Sequence, residues 1–385
     1  MAGIERQLIF SEAEYHRRMD KVRRLMEQRS LDILLLHSLP AIHYLTGFQS
    51  VALRAYSGFV MGLDEECAII VERDEQYNVR QNSWVETIAT YARSEDPVRV
   101  TSDLVRARGS RPGRIGMELG TRYLSKAQFD QLSSLLAADI VDATDLVPGC
   151  MLLKSPAELR CIEQAAAITA TGVRAALDHI EIGRTDNDIA AAAFKALISQ
   201  GSEYMSSDPI VCVGQNSSIP HGHFRNRPVR SGDTVLLEMS ACVGRYSAPL
   251  MRAVSLGKPD ATVAAMASAC RDAVESLIHA MKPGASFADA ALKGRAALPL
   301  SAPGMIFHGT YAYSIGLGFP GVSWADCPVE VRDGSPGEFE PGMVFHLPMS
   351  LRREGLFGVA VSETVAITDK GCKVLTEMSR ELFVR

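Results

Sequence analysis

Two stretches in the second half of the chain resemble each other closely enough to constrain its architecture. GRTDNDIAAAAFKAL (183–197) and GASFADAALKGRAAL (284–298) both open on glycine. Both place a hydroxyl residue two positions later, Thr185 and Ser286, and an aspartate three further on, Asp188 and Asp289. A hydroxyl followed at the third position by an acid marks a helix N-terminus, because both side chains can satisfy backbone N–H groups that lack a partner within the helix. Downstream of each lies an apolar run entered through glycine, GDTVLLE (232–238) and GMVFHLP (342–348). A second run follows, RYSAPLMRAVSLG (245–257) and LFGVAVSETVAIT (356–368). Two helix-then-hairpin units in tandem predict a pseudo-symmetric α+β domain with its ligand cleft between the halves. In this alignment Glu238 faces Pro348.

The first half reads differently. Residues 11–29 have helical periodicity, and LDILLLHS (31–38) is a short apolar run of the kind that forms a buried strand. SGFVMGL (57–63) and ECAIIVE (66–72) are further strands around a turn at Asp64-Glu65. RIGMEL (114–119) is another, and a helix begins at Ser125. This alternation predicts an α/β domain over 1–151. Ser155, Pro156 and Glu158 form a capping box that opens a long alanine-rich helix, so the second domain runs from 152 to 385.

Composition excludes several functional classes. A net charge of −5 gives no reason to expect a nucleic acid or an acidic membrane as partner. No apolar run approaches the ~20 residues that span a bilayer. The charged N-terminus MAGIERQLIFSEAEYHRRMDKVRR lacks the apolar centre of a signal peptide, so a cytoplasmic protein is expected. The eight cysteines are scattered, with no CxxC pair, and are expected to be buried thiols rather than zinc ligands.

Polar residues inside apolar strands carry the most information, because burying an unpaired charge costs several kcal/mol. Glu238, Glu363 in VAVSETVAI and His346 in MVFHLPM are of this kind. Tyr313 and Ser314 lie in the glycine-flanked TYAYSIGLGFPG, and His221 and His223 in the turn-rich SSIPHGHFRNRP. Each also has a plainer reading: an outward-facing strand residue, a packed tyrosine such as Tyr246 or Tyr311, or, for Arg252, a structural ion-pair partner. Together, two carboxylates, a loop histidine and a hydroxyl could bind a small cationic group and move protons.

At these residues the sequence resembles the creatinase/prolidase/methionine aminopeptidase family. The likeness is carried by IVCVGQNSSIPHGHFRNRPVRSGDTVLLEMSACVGRYSAPLMR, YSIGLGFPG, FEPGMVFHLP and VAVSETVAITDKG. It implies an N-terminal domain of creatinase/prolidase type followed by a pita-bread domain. The peptidases of the family hold two metals through two Asp, one His and two Glu. Those positions fall here on Glu238, Pro249, Tyr313, Pro348 and Glu363, so the resemblance implies no metal and no other cofactor. The loop histidine that creatinase uses without metal falls on His221, and its strand glutamate falls on Met251. The pattern looks most similar to the metal-free branch that contains ectoine hydrolases. That branch implies hydrolysis of a non-peptide C–N bond in a small amide or cyclic amidine. His221, Glu238, Glu363 and Tyr313 are then the expected catalytic groups. His223, Tyr246, Ser314 and His346 are expected around the substrate, with Leu53 and Arg54 reaching it from the partner subunit of a homodimer. The alternatives are a creatinase-like amidinohydrolase, a metal-dependent Xaa-Pro dipeptidase and a catalytically silent binding module.

Overall fold

The computed structural model describes residues 5–52, 55–63, 67–108, 113–321, 324 and 328–385. The chain divides into two compact units, one ending at Met151 and the other running from Leu152 to Arg385. The first unit is one mixed sheet of six strands with helices. Its strands are β1 (Ile33–Leu36), β2 (Gly58–Gly62), β3 (Ala68–Glu72), β4 (Thr87–Tyr91), β5 (Arg114–Met117) and β6 (Asp139–Asp142), in the order β4-β3-β2-β1-β5-β6. The expected turn at Asp64-Glu65 lies outside the described residues. Ser125 caps its helix by accepting from the backbone N–H of Gln128.

The second unit shows the repeat as pseudo-symmetry. Its first half has helices Pro156–Asp178 and Asp186–Ser199, followed by strands β7 (Ile210–Val213), β8 (Thr234–Met239), β9 (Cys242–Val243), β10 (Tyr246–Ser247) and β11 (Leu250–Ser255). Its second half has helices Ala261–Ala280 and Phe287–Ala296. The strands that follow are β12 (Met305–Ile306), β13 (Ala312–Ser314), β14 (Glu330–Val331), β15 (Val344–His346), β16 (Met349–Arg353), β17 (Phe357–Val361), β18 (Thr364–Thr368), β19 (Gly371–Val374) and β20 (Phe383–Val384). Both caps form: Thr185 Oγ1 accepts from Asp188 N–H and Ser286 Oγ from Asp289 N–H, each at 3.2 Å. The surrounding backbone repeats too. Gly183 N–H bonds Val229 O at 3.0 Å and Gly284 N–H bonds Phe339 O at 2.9 Å. Thr185 bridges Pro228 where Ser286 bridges Glu338.

The hairpins are more broken than the apolar runs suggest. The run 342–348 stops as β15 at His346 and resumes as β16 after Pro348. The run 245–257 splits into β10 and β11 around Ala248-Pro249. Proline has no N–H for a ladder, which explains both interruptions. The run 356–368 divides at Ser362-Glu363, where the backbone turns to other partners: Ser362 N–H donates to Met251 O at 3.2 Å, and Leu347 N–H to Glu363 O at 2.9 Å. Among the described residues four sheets result, ordered β20-β11-β8-β7, β12-β16-β17, β14-β13-β15-β18-β19 and β10-β9. One core packs Met266, Cys270, Leu277, Phe345, Met349 and Leu351 between the second-half helices and strands.

Candidate active site

Every residue of β8 is buried, so strand alternation does not carry Glu238 into solvent. Its register places it in a row between Ile210 on β7 and Met251 on β11. Both neighbours belong to a small apolar cluster with Cys212, Leu236 and Ala360 of β17. Glu238 therefore stands in an apolar seam between the β7-β8-β11 sheet and the β16-β17 hairpin. It is 6% exposed. No described residue gives its carboxyl a hydrogen bond or an ion pair. Burial pushes it up to about 7, with the nearby positive charge of Arg352 pulling the other way. A carboxyl held near neutrality can lose and regain a proton at working pH.

A chain of polar side chains lies on the other half. His346 Nδ1 is 2.6 Å from the Tyr313 hydroxyl, and its Nε2 is 2.8 Å from Ser362 Oγ. Trp324 Nε1–H donates to the same tyrosine oxygen at 2.7 Å. Met251 N–H donates to Ser362 Oγ at 2.6 Å, which joins the chain to the strand edge beside Glu238. Burial lowers His346 to about 3, so the ring is neutral and carries one N–H. It donates to one neighbour and accepts from the other, a relay able to reorient the Tyr313 O–H.

His221 sits in the loop after the 3-10 turn Gly214–Ser218, in a left-handed conformation with φ 54°. The next residue explains the seating of this loop. A Cβ on Gly222 would lie 2.9 Å from Cys212 Sγ and 3.3 Å from the carbonyls of Asn216 and Ile219, so only glycine lets the loop lie this close to β7. His221 and His223 are both exposed. His221 is near enough to His308 for its charge to act there. His308 is exposed at its own surface, yet its ring is hemmed in beside Arg352 and the Pro348 carbonyl. That desolvation, aided by the charge of Arg352, lowers it to about 4. Arg352, on β16, completes the group through its charge interaction with Glu238.

Several expected site residues are placed elsewhere. Glu363 is not aimed at the seam. Its Oε1 accepts from Arg252 Nη2 at 2.8 Å and from Arg380 Nε at 3.0 Å, and its Oε2 accepts from the Thr376 hydroxyl. Arg252 follows Met251 on β11, so alternation turns it away from the face that carries Glu238 and draws Glu363 with it. Arg252 spends its other N–H groups on the carbonyls of Met251, Ser362, Met378 and Ser379, as a structural ion-pair partner should. The Tyr246 hydroxyl donates to Glu158 Oε1 at 2.6 Å, while Glu158 Oε2 accepts from Ser155 N–H. Tyr246 thus closes a helix cap through Glu158. Ser314 Oγ accepts from Val329 N–H at 3.3 Å, in the interior of its sheet. His223 makes no hydrogen bond to a described residue. Leu53 and Arg54 lie outside the described residues. Burial pushes the thiols of Cys212, Cys242 and Cys270 up to about 12, which leaves them protonated and un-nucleophilic.

Sequence reading missed Arg352, His308, Trp324 and Ser362. Ser362 was detectable as a polar residue inside an apolar run, the same signal that marks Glu238; Arg352 was not, because Arg353 and Glu354 follow it and it reads as part of a charged turn. His308 and Trp324 lie in loops, where no periodicity points to them.

A sheet-and-helix domain ahead of a pseudo-symmetric pita-bread domain, with an acid in its central seam, is the architecture of the creatinase–prolidase hydrolases. The chain belongs to metallopeptidase family M24, which residues 160–369 match, and residues 18–150 match the creatinase/prolidase N-terminal domain. It is 28% identical to an ectoine hydrolase of Halomonas elongata over 99% of this chain and 100% of that one. It is 22% identical to a Xaa-Pro dipeptidase of Pyrococcus horikoshii over 95% of this chain and 98% of the relative. The solved prolidase of Pyrococcus horikoshii OT3 superposes with TM-score 0.83 at 20% identity, over 95% of this chain and 100% of that one, which establishes the shared fold.

The family's name implies metal, but the donors present here do not fit a metal pair. Of the five positions given by the resemblance, Pro249 and Pro348 carry no donor, Tyr313 is engaged by His346 and Trp324, and Glu363 is saturated. Only Glu238 keeps an unpaired carboxyl, and the buried guanidinium of Arg352 lies near it. Among the described residues no three His, Cys, Asp or Glu side chains gather as a metal site. Nor, among those residues, is any helix long and apolar enough to cross a membrane.

Proposed function

We propose that the protein hydrolyses a non-peptide C–N bond in a small amide or cyclic amidine, of which ectoine is the model, using protonic groups without metal. Glu238 carries this reading: it is a buried, unpartnered carboxyl poised near neutral pH, in a seam where two of the family's ligand positions are proline. An amidinium draws Glu238 to its ionised form and pairs with it. His221 takes a proton from water as the water oxygen bonds to the amidinium carbon. The C–N bond then breaks with its electron pair going to nitrogen, His221 returns the proton there, and the proton left on the oxygen passes to Glu238 as the carbonyl forms. The Tyr313–His346–Ser362 relay supplies a hydroxyl donor to the oxygen as charge develops on it. Likeness to the ectoine hydrolase over the whole chain supports the same reading. The proposal extends to a cytoplasmic homodimer in which Leu53 and Arg54 reach the partner's cleft.

The test is turnover of a panel containing ectoine, N-acylated diamino acids, guanidino acids and Xaa-Pro dipeptides. Release of an N-acetylated diamine acid from ectoine supports the proposal, and cleavage of the dipeptides alone overturns it. His221→Ala is expected to lower turnover by roughly a hundredfold, the usual worth of a general base, while circular dichroism and Tm stay at wild-type values. Activity within a few-fold of wild type would remove His221 from the mechanism.

A further inference from the structure

The guanidinium of Arg352 is out of place by the ordinary rules of burial. The residue is 8% exposed, its Nε is buried without a partner, and no described residue gives its head group a hydrogen bond or an ion pair. The other large buried arginines differ: Arg252 bonds Glu363 and four carbonyls, and Arg245 bonds the carbonyls of Tyr204 and Gly318. An unsatisfied buried cation is among the costliest features a protein can keep. The carboxyl of Glu238 is close enough to act on it by charge but makes no hydrogen bond or ion pair with it.

The local structure holds this arginine in place. Alternation along β16 puts Ser350 and Arg352 on one face, opposite the core residues Met349 and Leu351. Ser350 is fully buried, and its Oγ also lacks a partner. Across the hairpin Arg352 pairs with Gly358, where a Cβ would lie 3.2 Å from Arg352 Cγ and 2.1 Å from Ser217 O. The space of a side chain at Gly358 is taken by the Ser217 carbonyl, with the arginine stem packed at its edge. Ser350 pairs with Ala360, which belongs to the apolar cluster flanking Glu238. Two unsatisfied donors, on Ser350 and Arg352, thus share one face of the seam that holds an unpaired acid.

We infer that Arg352, with Ser350 beside it, is the receptor for a carboxylate on the substrate, so that the protein selects zwitterions whose cationic end meets Glu238. The inference rests on the hydrolase reading above and narrows its substrate class. A planar carboxylate matches the guanidinium fork bidentately and leaves an oxygen for the Ser350 hydroxyl. A ligand with only the cation satisfies Glu238 and leaves the arginine bare.

Calorimetry with three probes on wild type and Arg352→Met tests this. The probes are ectoine, its decarboxylated analogue 2-methyl-tetrahydropyrimidine, and acetate. Wild type is expected to bind ectoine roughly a hundredfold more tightly than the analogue, the worth of a charge-assisted pair. Arg352→Met should lose that preference without weakening the binding of the analogue, and should lose acetate binding. If wild type binds acetate through Arg352 but neither cyclic amidine, the carboxylate receptor stands and the amidine reading fails. Equal acetate binding by both proteins, or unchanged discrimination in Arg352→Met, overturns the receptor. If the variant does not fold, the Nε–H resonance of Arg352 in wild type decides: a saturable shift on acetate titration supports the receptor, and an unmoved resonance overturns it.

Discussion

Glu238→Gln is expected to abolish most activity and to stabilise the protein at alkaline pH. Glutamine keeps the shape of the protonated acid but can neither ionise nor pair as an anion with an amidinium. Turnover should fall by a hundredfold to a thousandfold, on the order of other losses of a single electrostatic contact in an active site. The stability effect follows from linkage. A carboxyl whose folded pKa lies above its unfolded value favours folding while protonated. Its contribution is complete below the ordinary value of 4.5 and fades as pH rises through about 7. Wild type should therefore weaken relative to Glu238→Gln across that window, reaching a difference of about 3 kcal/mol above it. Denaturant melts at pH 4 and pH 8 read this directly. Equal stability at both pH values would mean that Glu238 is not an unpaired buried acid. Such a residue is costly to the fold, and a functional site is where that cost is ordinarily retained.

The second large effect is expected at Glu363, and it concerns stability. Glu363 and Arg252 are both fully buried, and Glu363 also holds Arg380 and Thr376. Glu363→Leu leaves Arg252 as an uncompensated charge and should cost about 3–5 kcal/mol. The corresponding fall in Tm is roughly 10 °C. Replacing both partners, as Arg252→Met with Glu363→Leu, should recover most of the loss, because the buried charge disappears along with its counter-ion. At low temperature, Glu363→Gln should retain turnover per folded molecule. A variant that melts like wild type but has lost turnover would return Glu363 to the chemistry.

The contrast between these two glutamates explains how much was legible in the sequence. Both announce themselves as acids within apolar runs, and nothing in composition separates them. Their roles part at the level of register: Glu238 lies in the row of Met251, while Glu363 pairs with Arg252, one residue further along and on the opposite face. Strand breaks were equally hidden, although Pro249 and Pro348 stood in plain view, because an apolar run reads as one strand until its ladder partners are known. The repeat at Thr185 and Ser286 was readable because capping depends on neighbours in sequence. The Arg352 site was not, since its meaning lies in partners that are missing, and only the packed structure reveals those.

If protonic groups alone break the C–N bond in the seam between the two halves, hydrolysis needs no divalent ion. Turnover of ectoine by protein stripped with a chelator, with metal content measured on the same sample, tests it most directly. Full turnover is expected with no stoichiometric metal and no gain on adding manganese, cobalt or zinc. Activity that vanishes on chelation and returns only with a divalent ion would contradict it.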